Sequence, residues 1–163
     1  MLSGECVQIL DEHAASVKCV LVFPMAAETY LVSGSNDHTI KVWDLGSGRC
    51  MRTLRGHSSI IKNVEVVFAA ASSSVKSWEL VSSSNDKTVK IWSLSLGQCL
   101  RTLVGHERGI GCMLFVPSTG QLVTGSSDNT VKVWEMSNGV CTRTLIGHSD
   151  ACLLYTSPSP RDS

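Results

Sequence analysis

Three stretches of this chain are near copies of one another. LVSGSNDHTIKVWDL runs from Leu31 to Leu45, LVSSSNDKTVKIWSL from Leu80 to Leu94, and LVTGSSDNTVKVWEM from Leu122 to Met136. In each copy a Ser or Thr stands four residues before an Asp, and a Trp six residues after it. The anchors are Ser33, Asp37 and Trp43, then Ser82, Asp86 and Trp92, then Thr124, Asp128 and Trp134. Recurrence in register constrains a fold more tightly than local propensity does. Each copy must be one supersecondary unit that buries its apolar surface against its neighbours.

A histidine opens each unit. His13, His57, His106 and His148 lie 44, 49 and 42 residues apart, spacings that fit a unit of four strands. In the first unit the apolar run 17–23 predicts a buried strand, ended by Pro24. YLVSG (30–34) predicts a second strand, and Ser35 to His38 a polar turn, with His38 a solvated loop residue. TIKVWDL (39–45) then alternates, with Ile40, Val42 and Asp44 on one side and Lys41, Trp43 and Leu45 on the other. Glycines at 46 and 48 turn the chain into CMRTL (50–54), the fourth strand.

A four-stranded sheet with two apolar faces and no helix to cover them must stack on other sheets about an axis. The expected fold is therefore all-β: three four-stranded antiparallel blades forming an open arc, at 13–56, 57–105 and 106–147, with a fourth beginning at His148. SGECVQIL (3–10) matches the end of each unit, so a leading strand is expected at 5–10. Val42, Ile91 and Val133 are expected between blades. Lys41, Lys90 and Lys132 are expected on a solvated face rather than as a phosphate-binding stripe. The second unit is five residues longer than the first, the excess lying between Ile61 and Leu80. Its Ala/Ser tract (69–74) reads as an exposed connection, a drift in length rather than a binding feature. Residues 152–163, CLLYTSPSPRDS, resemble the translation of a sequencing-library adapter and are excluded from the 1–150 repeat region.

Fourteen Lys and Arg balance 14 Asp and Glu, for a formal charge of zero. That balance lacks the basic field of a nucleic-acid binder, and no apolar run has the length of a membrane span. Cys6, Cys50, Cys99 and Cys141 recur in a Gly-x-Cys sequence, and Cys19 and Cys112 each follow a repeat histidine by six residues. Thiols repeated in register are expected to be buried packing groups, and no Cys-x-x-Cys pair suggests zinc. No cofactor or metal is expected, and the cysteine usage suits an intracellular protein, cytoplasmic or nuclear.

His, Ser or Thr, and Asp are also the residue types of a hydrolytic triad. Here the set occurs three times, each time with a Trp, and no Gly-x-Ser-x-Gly elbow is present. A buried polar network, one per blade, accounts for the pattern without catalysis: Asp to His, His to hydroxyl, hydroxyl to the indole N–H.

With these residues in view, the pattern resembles the WD-repeat family of β-propellers, over residues 1 to about 150. The resemblance implies that His13, Ser33, Asp37 and Trp43 form one tetrad. His57, Ser82, Asp86 and Trp92 form the second, and His106, Thr124, Asp128 and Trp134 the third. It departs from the family pattern at Glu12, where glycine is usual before the histidine, at Ser83, also usually glycine, and at Ser93 and Glu135, which follow Trp92 and Trp134 in place of aspartate. The family binds partners through the loops before the first and third strands. Here those include Ala15, Ser35, Asn36, Ser59, Ser84, Asn85, Arg108, Ser126 and Ser127. The expected function is a non-catalytic protein-interaction scaffold, with protein or peptide partners rather than nucleic acid, membrane or a small-molecule substrate. The alternatives are the substrate-recognition propeller of an F-box ubiquitin ligase and, third, a hydrolase.

Overall fold

The structure, a computed structural model, describes residues 4–69 and 77–147. Twelve strands form three antiparallel four-stranded sheets, each in simple chain order. The first blade comprises β1 (Val17–Met25), β2 (Glu28–Ser35), β3 (Ile40–Asp44) and β4 (Arg49–Leu54). The second comprises β5 (Ile61–Ala69), β6 (Ser77–Ser84), β7 (Thr88–Ser93) and β8 (Cys99–Val104). The third comprises β9 (Ile110–Val116), β10 (Gln121–Ser126), β11 (Thr130–Glu135) and β12 (Val140–Ile146). No helix among the described residues is long and apolar enough to cross a membrane.

Local chemistry sets the turns. His38, Lys87 and Asn129 each follow the repeat aspartate with φ near +70°, at 67°, 73° and 67°. This left-handed position costs a non-glycine residue energy. The aspartate offsets it by accepting the amide of the threonine two residues on, Thr39, Thr88 or Thr130, at 2.9–3.0 Å. The pairing register shifts just before the tryptophan of every third strand, between Val42 and Trp43, Ile91 and Trp92, and Val133 and Trp134. The extra residue sharpens the twist there.

The core lies between blades. Phe23, Val32, Ile40, Val42 and Leu54 of the first blade pack against Ile61, Val64, Leu80, Trp92 and Leu94 of the second. Val67, Val81, Val89, Ile91 and Leu103 repeat the arrangement against Ile110, Met113, Leu122, Trp134 and Met136. Strand alternation thus gives each blade two apolar faces, as the absence of a covering helix requires. Gly34 permits one close approach, since a Cβ there would lie 2.5 Å from Ile61 Cγ2 and 2.7 Å from the Cys19 sulfur. Ser83 occupies the equivalent place in the second blade, fully buried, and its hydroxyl has no hydrogen-bond partner among the described residues.

The blades also hold one another through polar side chains. Arg52 Nη2 donates to the Ser95 carbonyl at 2.6 Å and Arg101 Nη1 to the Met136 carbonyl at 2.8 Å, each reaching forward by one blade. Glu65 of β5 accepts the Phe115 amide of β9 at 2.9 Å. Among the described residues the outer faces of the arc stay open: Val20 is 62% and Val22 53% exposed at the front, and Leu145 is 53% exposed at the back, where its equivalents Leu54 and Leu103 are buried. Val133, expected between blades, lies half-exposed on that back face.

Several expectations are corrected. Residues 5–10 form no strand; they have no hydrogen-bonded neighbouring strand among the described residues, and a strand exists by its ladder. The cysteines are not buried: Cys6 and Cys99 are exposed, and Cys19, Cys50, Cys112 and Cys141 half-buried. Cys50, Cys99 and Cys141 sit on fourth strands at the outer edge of their blades, each thiol near a carbonyl two residues on. The lysines are not simply solvated either. Lys41 is 8% exposed, and the ammonium groups of Lys41, Lys90 and Lys132 donate to Thr53, Thr102 and Thr144 at 2.9–3.0 Å. The 69–74 connection beyond Ala69, the unit begun at His148 and the segment 152–163 lie outside the described residues.

Candidate functional site

Each blade brings its His, Ser or Thr, Asp and Trp into one hydrogen-bonded chain, a latch within the blade. In the second blade the Trp92 indole N–H donates to Ser82 Oγ at 2.8 Å, which lies 2.8 Å from His57 Nε2, and His57 Nδ1 lies 2.6 Å from Asp86 Oδ2. The first blade repeats it through Trp43, Ser33, His13 and Asp37, at 2.8, 2.7 and 2.7 Å. The third runs through Trp134, Thr124, His106 and Asp128, with all three distances 2.8 Å. Each imidazole also meets its tryptophan edge-on, with centroids 6.0–6.2 Å apart.

The carboxylate fixes the tautomer of a neutral imidazole. An ionised carboxylate can only accept, so Nδ1 carries the proton and donates to it; Nε2 is then bare and accepts from the hydroxyl, which itself accepts the indole N–H. Burial pushes His57 and His106 below the ordinary imidazole value, against the pull of Asp86 and Asp128. Burial acts the other way on the aspartates, but the Thr39 hydroxyl, His13 and the Thr39 and Ala14 amides outweigh it and hold Asp37 well below the usual carboxylate range. Asp86 and Asp128 are lowered by the equivalent donors. In the second and third blades the resting arrangement is a neutral histidine beside an ionised aspartate.

The network is larger than the four anchors. Thr39, Thr88 and Thr130 donate to the second aspartate oxygen at 2.6 Å. Ser35, Ser84 and Ser126 accept the aspartate's own amide at 3.1 Å and donate to the carbonyls of Ala15, Ser59 and Arg108. The recurring Ser-x-Asp-x-Thr was the available signal, since short polar side chains two residues either side of an aspartate can close a turn on it. These bonds correct the loop assignment: Ser35, Ser84 and Ser126 are 0% exposed and clamp the loop before the first strand to the loop before the third. They are not accessible to a partner. Ala15, Asn85, Arg108 and Ser127 are exposed, and Asn36 and Ser59 half-buried.

The usual glycine before each histidine now has a reason. A Cβ at Gly56 or Gly105 would lie 3.1 Å from Cη2 of Trp92 or Trp134. Glu12 fills that position in the first blade, where the latch still forms and the carboxylate lies 3.3 Å from Lys41 Nζ. Loops of adjacent blades meet at Gly109, whose Cβ position would lie 2.8 Å from Asn85 Oδ1. Asn85, Arg108 and Ser127 therefore belong to neighbouring loops at one end of the arc.

The family model "WD domain, G-beta repeat" matches residues 4–44, 48–93 and 97–135. Coatomer subunit beta'-1 of Arabidopsis thaliana is 44% identical over 55 residues, covering 34% of this chain and 6% of that protein. Pre-mRNA-splicing factor PRP46 of Saccharomyces cerevisiae is 39% identical over 59 residues, 36% of this chain and 13% of that one. Nuclear distribution protein nudF of Aspergillus oryzae is 37% identical over 79 residues, 43% and 17% respectively. The solved structure of U3-55K superposes with a TM-score of 0.73 at 29% identity, covering 88% of this chain and 43% of that one. The chain thus spans less than a fifth of the length of these curated relatives. Three repeats in register, each closed by its own latch, and a family model matched over most of the sequence make this chain a member of the WD-repeat, G-beta repeat family of β-propellers.

Proposed function

We propose that the chain is a non-catalytic platform for protein–protein contacts, engaging partners through the loops its latches hold. One observation carries this reading. The hydroxyls that would be nucleophiles, Ser33, Ser82 and Thr124, are 3%, 0% and 0% exposed and each is already bonded to an indole and an imidazole. A nucleophile must reach its substrate. The latches instead fix the backbone at one end of the arc, where Asn36, Asn85, Arg108 and Ser127 stand on a rigid base. Arg108 is the side chain most suited to anchor an interface.

The ubiquitin-ligase receptor reading is favoured only by the wording Thr-Leu-x-Gly-His, at 53–57, 102–106 and 144–148, and Gly-x-Cys, at 4–6, 48–50, 97–99 and 139–141. Arg108 is the lone arginine of the described loops named above, and a phosphorylated motif calls for a cluster.

The test compares proteins retained from lysate by the immobilised chain with those retained by an Asn85→Ala/Arg108→Glu variant. Loss of a specific band in the variant is the expected result. Hydrolysis of a generic ester that disappears in His106→Ala would overturn the reading.

A further inference from the structure

Repetition lets the two joints between blades be compared position by position. Strand pairing aligns Cys19 and Leu21 of β1 with Asn63 and Glu65 of β5, and Gly34 of β2 with Ser83 of β6. Asn63 and Glu65 face the third blade. Asn63 Nδ2 donates to the Met113 carbonyl at 3.4 Å, and Glu65 accepts the Phe115 amide at 2.9 Å. Ser83 stands directly opposite Asn63 in the ladder and so shares that face. The joint between the first and second blades thus receives a thiol, a leucine and a glycine, where the next joint receives an amide, a carboxylate and a hydroxyl. The third blade carries Cys112, Leu114 and Gly125 at these positions, so the second blade is the one that departs from the repeat.

The polar set is poorly satisfied. Ser83 is 0% exposed and its hydroxyl has no partner among the described residues. The bond that Asn63 sends across the joint is long, and its Oδ1 accepts the amide of Val64 on its own strand. Burial pushes the Glu65 carboxyl above the usual carboxylate value, against the pull of the Phe115 amide. Polar groups buried without full pairing weaken the packing around them. Aromatic bulk divides the same way. Phe23 of the first blade meets Trp78 of the second with centroids 6.1 Å apart, and their equivalents across the next joint are Val67 and Gly120. Met113 and Phe115, standing where the second blade has Val64 and Val66, add volume at that joint but give the Ser83 hydroxyl no partner. The arginine bridges do not distinguish the joints, since Arg52 and Arg101 each cross one, at 2.6 and 2.8 Å.

We infer that the joint between the second and third blades is the hinge of this arc, and that the third blade opens there as a unit before the first blade leaves the second. In a stack of repeats, stability is approximately the sum of each unit's own contribution and those of its joints, so the weaker joint sets where the stack parts. The end blades serve as controls for each other, because each has one joint and one open face. The loops of Asn85 and Gly109 meet across the same joint, so opening parts Asn85 from Arg108. The hinge goes beyond the platform reading and stands without it.

The test is native-state hydrogen exchange of the whole chain read by mass spectrometry, at two protein concentrations so that association is told apart from opening. Peptides of β9–β12 are expected to exchange about tenfold faster than those of β1–β4 after correction for intrinsic rates. The variant Asn63→Cys/Glu65→Leu/Ser83→Gly gives the second blade the residues of the first. It should slow exchange in the third blade about tenfold and leave the first blade unchanged. Glu65→Leu alone, which matches Leu21 and Leu114, should slow the third blade in the same direction and carries the test if the triple variant does not fold. A third blade that exchanges no faster than the first overturns the inference. So does a triple variant, or Glu65→Leu in its place, that leaves the third blade's rate unchanged or slows all three blades alike.

Discussion

Ser82→Ala deletes one oxygen from the middle of the second latch. Its consequence can be worked out from the donors on either side. The Trp92 indole N–H loses its acceptor and His57 Nε2 loses its donor, in a setting where Trp92 is 1% and His57 7% exposed. Leaving a buried polar group unsatisfied costs about 1–3 kcal/mol, so two orphaned groups predict a loss of about 2–6 kcal/mol. That is a large share of the roughly 5–15 kcal/mol that holds a domain folded. Ser82→Thr is the decisive companion. The third blade already uses Thr124 with the same 2.8 Å contacts to imidazole and indole, so threonine should cost less than about 1 kcal/mol. Urea unfolding followed by tryptophan fluorescence reads both, with a midpoint drop of roughly 1–3 M for alanine at the m-values usual for small proteins. Alanine within about 0.5 kcal/mol of the parent chain, or threonine as costly as alanine, would refute the relay.

Acid should open the latches from two directions. His57 and His106 sit below their unfolded value and the three aspartates sit below theirs, so the unfolded chain binds more protons throughout. Stability is therefore expected to be full above the unfolded histidine value of about 6.5, to decline below it, and to fall further beneath about pH 4 as the aspartates protonate; urea midpoints from pH 3 to 8 check this, and a maximum at pH 5 would contradict it. Arg101→Met should cost about 1–2 kcal/mol by freeing the Met136 carbonyl, whereas Arg143→Met, with no hydrogen bond to a described residue, should cost almost nothing; paired melts of the two variants decide. Exposed Val20, Val22 and Leu145 on open blade faces predict self-association of the chain as it stands, and a sharp monomer in sedimentation together with one cooperative melt would refute that.

The four strands of each blade, the blade stacking and the four anchors of each latch were legible because the same residue types recur at the same register, and only equivalent environments keep residues in register. What recurrence cannot show is which environment a position occupies. Cys50, Cys99 and Cys141 repeat as faithfully as the tryptophans, yet they lie at outer edges, where the fourth strand has no further neighbour in its sheet. Lys41 reads as a surface residue by type, but strand alternation puts it on the same side as Trp43, with its ammonium 5.9 Å from the ring centroid. Ser35, Ser84 and Ser126 look like loop residues by composition and are buried clamps by geometry. The arginine of Arg-Thr-Leu gave no hint of its role, because its acceptor lies more than thirty residues away on the next blade.

The forward reach of Arg52 and Arg101 gives the contact between blades a direction. A front face meets a back face every time, so the joint is heterologous and never its own mirror. Head-to-tail joints have two outcomes: a ring, when the rotation per step divides a full circle, or an open helical filament when it does not. Association of this chain through its free faces should therefore add subunits one after another, giving a ladder of trimers and longer arrays rather than stopping at a twofold dimer.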